Sequence, residues 1–338
     1  MLNIILLFTA LFSFLTADPI LDLQKVVLET KRILLEDFPE AWNPSMIKVD
    51  QGYLMTFRYC PDVISQGWVS YIGIVLLDEA FDPISKPQLL KTRVKNSKTP
   101  SQSEDARIFK FKDRLFLIYH DNVDIVYPAT WQRRDMFMSE LLFTNNQFTL
   151  TPPLKLIHEE KYNSQTWQKN WVPFEKDGVL LMTYSINPHE ILYTNLLTGT
   201  CYPAYETRAE IQWDFGILRG STPPLLVDGE YLAFSHSGII TSSESSWGLD
   251  LWHYYMGAYT FSAEPPFEIT KMTPVPIMHD SFYTPSDYNK RVIFPGGFVV
   301  SDSFIYVAYG KDDNEIWIAT LDKAMLKKAL QPVEKASN

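Results

Sequence analysis

The sequence contains little cysteine, no basic cluster and few long apolar segments. Only two cysteines, Cys60 and Cys201, occur in 338 residues, and neither belongs to a Cys-x-x-Cys motif, so zinc or thioredoxin-type chemistry is not indicated. The formal net charge is −10. The phosphate backbone repels an acidic surface, so we expect no nucleic-acid partner. The sequence leaves open whether the two cysteines form a disulfide.

Several motifs of metal and cofactor chemistry are also missing. There is no His-Glu-x-x-His motif, no phosphate-binding P-loop, no Gly-x-Gly-x-x-Gly motif and no Gly-x-Ser-x-Gly elbow. His253 and His279 have no partner at the spacing of metal ligands. The sequence therefore predicts neither a metal nor an organic cofactor.

The N-terminal residues have the pattern of a targeting segment. Residues 4–15 form an apolar run of signal-peptide length, and the small residue Ala17 precedes the polar Asp18. We predict that residues 1–17 are a signal peptide, which makes the protein secreted, periplasmic or lumenal. The alternative is an uncleaved anchor, through which the chain would contact a membrane, and a buried helix is a further reading.

Helical periodicity is confined to the two ends of the rest of the chain. Residues 21–37 alternate apolar and charged positions as an amphipathic helix does, and residues 321–330 are rich in Ala, Lys and Leu. We predict an N-terminal helix and a short C-terminal helix. Between them lie short runs of Val, Ile, Phe and Tyr broken by turn residues, which is typical of strands.

One unit recurs five times along this middle part. Each copy has a polar motif, then a charged or glycine turn, then an apolar strand that ends in an aromatic residue. The copies lie about 52–73 residues apart, and periods near 50 are typical of propellers or solenoids. We predict an all-β fold, a five-bladed β-propeller that forms a single catalytic domain over residues 18–338. Its inner strands would bring the polar motifs to one funnel.

The strongest candidate for chemistry is Asp105, in Ser103-Glu104-Asp105-Ala106-Arg107 at the head of the second copy. A glycosidic bond breaks when its leaving oxygen is protonated, and a positioned carboxylic acid does this. The competing reading is an ion pair with Arg107 at a strand edge.

Arg219, His236 and His189 are candidate anion ligands, with solvated or strand positions as the plain alternatives. Lys169 and Asn170 are candidate sugar or phosphate contacts.

These motifs, taken in order, resemble glycoside hydrolase family 130, which contains β-mannoside phosphorylases and β-mannosidases, and the related glycosyltransferase family 108. Glu-Asp-Ala-Arg at 104–107 is similar to the Glu-Asp-Pro-Arg motif of that family. The resemblance covers roughly residues 40–320, and its other parts are Asn43-Pro44-Ser45, Phe57-Arg58, Lys169-Asn170-Trp171, Tyr184-Ser185-Ile186-Asn187-Pro188-His189, Arg219-Gly220-Ser221-Thr222, Phe294-Pro295-Gly296-Gly297 and Tyr309-Gly310-x-x-Asp313.

The resemblance implies a five-bladed propeller and an inverting reaction with inorganic phosphate as co-substrate. It implies that Asp105 is the proton donor and that a mannose-containing oligosaccharide or glycoside is the partner. Candidate substrate contacts are Asn43, Ser45, Arg58, Arg107, Lys169, Asn170 and Asp313, and candidate phosphate ligands are Arg219, His236 and His189. Members of the family often associate, so a homo-oligomer is compatible with the resemblance.

Two readings compete with phosphorolysis or mannosyl transfer from mannose 1-phosphate. Ser185 and Ile186 stand where many phosphorylases carry an arginine, which favours hydrolysis by water. A hydrolase needs a general base, and Glu190, Glu206 and Glu210 are candidates that the sequence does not rank. The other reading is a propeller that binds carbohydrate without catalysis. Linkage and chain length of the mannoside are not readable from the sequence.

Overall fold

The chain is almost entirely β-sheet in a computed structural model that describes residues 23, 25–62, 69–93, 101–122, 134–163 and 167–335. The predicted signal peptide or anchor at residues 1–17 lies outside the described residues. No helix in this described part has the length and apolar character needed to cross a membrane. Cys60 and Cys201 are both buried, and no disulfide joins them.

The strands are numbered in chain order. The first half contains β1 (Val27–Ile33), β2 (Trp42–Val49), β3 (Gly52–Tyr59), β4 (Tyr71–Leu77), β5 (Gln88–Leu89), β6 (Glu104–Phe111), β7 (Arg114–Asp121), β8 (Asp135–Thr144), β9 (Gln147–Leu150), β10 (Leu154–His158), β11 (Val172–Lys176), β12 (Val179–Ser185), β13 (His189–Thr194) and β14 (Thr200–Thr207). The second half contains β15 (Ala209–Glu210), β16 (Arg219–Gly220), β17 (Leu225–Val227), β18 (Glu230–Thr241), β19 (Leu251–Ser262), β20 (Ile269–Met272), β21 (Lys290–Val300), β22 (Phe304–Lys311), β23 (Glu315–Asp322), β24 (Gln331–Pro332) and β25 (Glu334–Lys335). A 3₁₀ helix, Glu244–Ser246, and one α-helix, α1 (Lys323–Ala329), complete the described elements.

Neighbouring strands in the chain mostly pair with each other and run antiparallel. One sheet has the order β2-β3-β4-β5, and a second joins β11-β12-β13-β14 to β10-β8-β7-β6. A third sheet has the order β1-β23-β22-β21-β19-β18-β16, and β15 pairs with β25. Parallel pairing links β10 to β14 and β19 to β21. Short antiparallel connections of this kind follow from the turn signals that separate the apolar runs.

The prediction of an N-terminal helix over residues 21–37 is wrong for Val27–Ile33, which is the strand β1. This strand pairs antiparallel with β23, near the end of the chain. Val27 and Ile33 are buried, whereas Leu28 and Leu34 are 49% and 65% exposed. Backbone pairing with an available sheet edge overrides the helical pattern of the side chains.

The α-helix α1 lies within residues 321–330. The side chain of Asp322 accepts a hydrogen bond of 2.8 Å from the backbone N–H of Met325, which caps the helix at its N-terminus. Lys327 and Lys328 lie in the last turn, where positive charge is favourable. The buried side chain of Leu326 packs with Leu321 in the hydrophobic core next to the last strands.

The described core consists of hydrophobic clusters that each lie between two neighbouring groups of strands. One cluster joins the group β2–β4 to β6–β8, the next joins β6–β8 to β11–β13, and a third joins β11–β13 to β18–β20. A fourth packs β18 and β19 against β21–β23, and a fifth packs β22 and β23 against β2–β4. The last group of strands therefore packs against the first.

Candidate active site

Most of the predicted site residues line one cavity of about 640 Å³. They come from segments far apart in sequence, and most of them lie at or next to the start or end of a strand, whereas His236 lies in the middle of β18: Asn43, Arg58, Asp105, Lys169, Asn170, Arg219, His236 and Asp313. The volume is within the range of small-molecule sites in proteins. The predicted residues Ser45, Arg107 and His189 are not among those that line this cavity.

Backbone irregularities aim several of these side chains at the cavity. Asn43, Asp105, Asn170 and Asp313 have positive φ values of 46°, 53°, 64° and 52°. The pairing register shifts at Asn43 on β2 and at Asp105 on β6, so both residues sit at β-bulges. Asn and Asp tolerate the left-handed region better than most residues, and bulges redirect side chains next to functional sites. These local sequences therefore suit the positions that they occupy.

Gly310 makes the close approach of Asn43 to β22 feasible. A Cβ atom at Gly310 would lie 2.1 Å from Oδ1 of Asn43 and 2.7 Å from its backbone nitrogen. Real Cβ contacts are never this short, so a larger residue would displace Asn43. Gly310 therefore allows Asn43 to reach its position, although neither Tyr309 nor Gly310 lines the cavity.

Asp105 is held on one side by hydrogen-bonding and positively charged groups. The side-chain amide of Asn43 donates a 2.9 Å hydrogen bond to its Oδ1, and Nη1 of Arg58 lies 3.5 Å from the same oxygen. Burial raises the pKa of Asp105, but the surrounding positive charges, of which Arg58 is the strongest, outweigh it and lower that pKa to about 2. In the free protein at neutral pH, Asp105 is therefore a carboxylate.

Glu104 organises the cations around Asp105, a role that the sequence did not reveal. Its Oε1 lies 2.9 Å from Arg134 and 3.2 Å from Arg58, and its Oε2 lies 3.5 Å from Lys169. Burial raises the pKa of Glu104, and the nearby cations, led by Arg58, hold it well below its usual range. The only sequence signal was its place beside Asp105 at the head of a repeat.

Arg107 and Ser45 lie behind the cavity and connect inner strands. Arg107 is fully buried, and its guanidinium donates to the backbone carbonyls of Ser221 and Asp105 and to Oδ1 of Asn170. The hydroxyl of Ser45 accepts a 3.1 Å hydrogen bond from the backbone N–H of Ile108. Neither predicted substrate contact lines the cavity, and both side chains instead connect the segments that carry Asp105 and Asn170.

The predicted phosphate ligands Arg219 and His236 are direct neighbours across β16 and β18. The hydroxyl of Ser221 forms a 2.6 Å hydrogen bond with Nδ1 of His236. Burial lowers the pKa of His236 to about 3, with the charges of Arg107 and Arg219 as further causes. His236 is therefore neutral at neutral pH, and the fixed positive charge in this corner comes from arginine and lysine.

His189 is a buried core residue that does not line the cavity, so the structure does not bring it together with Arg219 and His236. Its Nδ1 donates to the carbonyl of Phe267 at 2.7 Å, and its ring packs 4.9 Å from that of Phe261. Burial lowers its pKa to about 4. The sequence placed His189 at a strand end but does not tell which side of the strand its ring occupies.

The three candidate general bases also lie away from the cavity. Glu190 is buried and paired with His158 at 3.0 Å, and it also contacts Lys161. Glu206 is exposed beside Arg208, and Glu210 is exposed on β15. Apart from Asp105, the carboxylate that lines the cavity within the described part of the chain is Asp313, which is paired with Lys290.

One group of described residues has the composition of a metal site. Ligand atoms of Glu104, Asp105 and His120 lie within 4.8 Å of one another. The same carboxylates already face Arg58, Arg134 and Lys169, and a divalent cation would be repelled by these charges. This charge balance does not fit a metal, and we assign none.

A second cavity, of about 710 Å³, lies further along the same inner strands. It is lined by parts of β2, β6, β11 and β21 and by the segment around β17. These parts are residues 46–48, 108–110, 173–175, 223–228 and 297–302. Asp105 and its partners do not contribute to it. The strands β2, β6 and β21 thus border the first cavity near their starts and the second cavity further along.

A family model described as beta-1,4-mannooligosaccharide phosphorylase matches residues 25–330. No curated protein matches the sequence. A putative glycoside hydrolase from Parabacteroides distasonis has a similar structure, with 17% identity, a TM-score of 0.60 and coverage of 84% of this chain and 87% of that one.

Two further solved structures are similar to the chain. A β-1,2-mannobiose phosphorylase from Listeria innocua, in complex with β-1,2-mannobiose, has 15% identity and a TM-score of 0.57, with 89% of this chain and 92% of that one covered. A mannose phosphorylase from Leishmania mexicana, in complex with phosphate, has 12% identity and a TM-score of 0.59, with 91% and 92% covered. At these identities the likeness establishes a shared fold.

Proposed function

The chain belongs to glycoside hydrolase family 130, and we propose that it cleaves or forms β-mannosidic bonds by inverting phosphorolysis or by the reverse transfer from mannose 1-phosphate. Members of this family are phosphorylases or hydrolases of mannosides, so the chain is an enzyme of that class. Within this class, the proposal takes phosphate rather than water as the attacking group. The geometry of the cavity supports this choice.

We also propose that the sheets form a five-bladed β-propeller. Support comes from five antiparallel groups of strands in chain order and from the core clusters that join each group to the next. The packing of β22 and β23 against β2–β4 supports a closed ring. In such a ring the cavity that contains Asp105 lies at one mouth of the central channel.

The observation that carries the choice of phosphate is the set of basic groups on the cavity that contains Asp105. Lys169, Arg219 and His236 all line this cavity. Arginine and lysine are the standard ligands of phosphate oxygens, and a neutral histidine N–H can add a hydrogen bond. None of the candidate bases for hydrolysis lines the cavity, which removes the support that they gave to water as nucleophile.

In the proposed reaction, a phosphate oxygen attacks the anomeric carbon from the face opposite the leaving oxygen. The bond from that carbon to the leaving oxygen breaks, and its electron pair stays on the leaving oxygen. This oxygen takes the proton of Asp105, directly or through a sugar hydroxyl. The products are mannose 1-phosphate, with inverted configuration, and the shortened sugar. Asn43 and Arg58 hold the carboxyl group in place.

The low pKa of Asp105 in the free protein assigns a second role to phosphate. A proton donor must carry its proton when the bond breaks, but the surrounding cations keep Asp105 ionised. Phosphate bound at Lys169 and Arg219 adds negative charge and offsets these cations, so its binding raises the pKa of Asp105. Phosphate therefore both attacks the substrate and favours the protonated acid.

The test is an incubation with β-1,2- and β-1,4-linked mannobiose, with and without inorganic phosphate. Phosphorolysis predicts mannose 1-phosphate that appears only with phosphate. Free mannose formed at the same rate without phosphate would establish the hydrolase. Binding without turnover under either condition would establish a carbohydrate-binding propeller.

We also propose export through a signal peptide at residues 1–17, and N-terminal sequencing of the mature protein tests it.

A further inference from the structure

The hairpin β18–β19 extends beyond the cavity and continues one of its walls. Both strands are twelve residues long and pair along their whole length, from Glu230↔Ser262 to Thr241↔Leu251. Alternate residues of a strand share a face, and directly paired residues share it across the two strands. One face of the hairpin therefore carries His236, Gly238 and Ile240 on β18 and Met256, Tyr254 and Trp252 on β19.

This face begins inside the cavity and ends in solvent. His236 and Tyr254 line the cavity that contains Asp105, and their rings stack with centroids 6.4 Å apart. The next ring along the face is that of Trp252, whose centroid lies 5.9 Å from that of Tyr254. Trp252 is 45% exposed and its cross-strand partner Ile240 is 59% exposed. Lys290, which also lines the cavity, pairs with Trp252 on the neighbouring strand.

Gly238 keeps the middle of the face flat. A Cβ atom at this position would lie 3.2 Å from two ring carbons of Tyr254, so any side chain there would push this ring away. With glycine, the ring of Tyr254 lies against the strand and connects the buried end of the face to Trp252. Exposed apolar side chains that form a contiguous patch mark ligand-binding grooves and other interaction surfaces.

We propose that Trp252, Ile240 and Tyr254 form a platform for the sugar units that project from the cavity, so that the preferred substrates are mannosides longer than a disaccharide. The inference rests on the proposed function, because it takes the occupant of the cavity to be a mannoside. The C–H face of a pyranose ring is apolar and packs on an aromatic ring, while its hydroxyls stay in water. Continuity with the cavity favours a sugar chain over a separate partner.

The experiment compares substrates of increasing length on a variant of the platform. Wild type, Trp252→Ala and Trp252→Tyr are assayed for kcat/KM, and for binding by calorimetry, on β-1,2- and β-1,4-linked mannosides of two to five units. Phe143→Ala is the matched control, because Phe143 is a 60% exposed aromatic residue on β8 that does not line the cavity.

Wild type should prefer the longer mannosides, and Trp252→Ala should lose about three- to tenfold in kcat/KM on them while the disaccharide is unaffected. Trp252→Tyr should restore most of the loss, and Phe143→Ala should match wild type. Equal values for Trp252→Ala and wild type at every length would overturn the platform, as would an equal loss on the disaccharide. Self-association that is lost in Trp252→Ala without a length effect would assign the face to a second copy of the chain. If wild type binds no mannoside of any length, the proposed function itself fails.

Discussion

Nε2 of His120 lies 3.6 Å from Oδ2 of Asp105 and 3.3 Å from Oε2 of Glu104, and it has no hydrogen-bond partner among the described residues. Nδ1 of the same ring is 3.2 Å from the carbonyl oxygen of Glu104, which can only accept, so Nδ1 carries the hydrogen. The pKa of His120 is lowered to about 3. Burial is the main cause, and the positive charge of Lys169 is the next. At neutral pH, a lone pair of His120 thus faces two carboxylates.

Replacement of His120 should change the pH dependence of turnover. A protonated Asp105 can donate a hydrogen bond to Nε2, and an acceptor for the acid form raises the pKa of a carboxyl group. His120→Leu removes this acceptor, so the alkaline limb of the pH profile of kcat, measured at saturating phosphate and mannoside, should move to lower pH by about one unit. His120→Gln retains an acceptor oxygen and should restore the limb. An unchanged profile in His120→Leu, with only a lower rate, would mean that His120 acts through packing alone.

Replacement of Asp105 by asparagine should separate catalysis from binding. Asparagine keeps the shape and the hydrogen bond from Asn43 but cannot protonate a leaving oxygen, so turnover should fall by about 10²–10⁴-fold. Affinity for the mannoside, measured by calorimetry, should change only a few-fold. Asp177→Asn, at an exposed turn between β11 and β12, is the control. Turnover that survives in Asp105→Asn would remove Asp105 as the acid.

Removal of Arg219 should weaken phosphate more than sugar. Arg219→Ala deletes a charged donor on the cavity, so KM for phosphate should rise by about tenfold or more while KM for the mannoside stays within a few-fold. Arg208→Ala removes an exposed arginine that pairs with Glu206, and it should leave both constants unchanged. If the KM for mannoside rises and that for phosphate does not, Arg219 belongs to the sugar side of the site.

The buried histidines should make the fold less stable as pH falls. The pKa of His189 is about 4 in the folded chain against an ordinary value of 6.5, because burial disfavours its charged form. Between these values the unfolded chain binds more protons than the folded one, so stability present above pH 6.5 is lost as pH falls. His189→Gln should make the free energy of unfolding in urea less dependent on pH between 7 and 5, by about 1–2 kcal/mol. His279→Gln, at a partly exposed position, should keep the wild-type dependence.

Chelation should leave the enzyme active. The carboxylates of Glu104 and Asp105 are compensated by arginine and lysine side chains, so no metal ion is needed to hold them together. Overnight dialysis against EDTA should preserve turnover and melting temperature. A loss that zinc or manganese restores would show that the group of Glu104, Asp105 and His120 binds a metal after all.

The sequence was most informative where a residue type matches an unusual backbone position. Asn43, Asp105 and Asn170 recur at the heads of repeats, and each has a positive φ that few other residues tolerate. The sequence was least informative about which side of a strand a polar group occupies. His189 and Ser45 carry suitable chemistry but point into the core or to a neighbouring strand. Register sets these directions, and it depends on distant partners.

One feature of the site and one of the fold could not be read from local patterns at all. His120 is the penultimate residue of an apolar strand, and its importance comes only from the bulge that brings Asp105 next to it. The strand β1 resembled a helix because its partner, β23, lies nearly three hundred residues later in the chain. Interactions at such sequence distances leave no periodic signal.

The pairing of β1 with β23 also sets an order of events during synthesis. Val27–Ile33 is synthesised nearly three hundred residues before Glu315–Asp322, the segment that completes its hydrogen bonds. Throughout most of translation β1 lacks this partner, and the apolar residues Val27 and Ile33 have no core to enter. This sheet can therefore close only after β23 has emerged, so β1 must remain unaggregated and accessible until then.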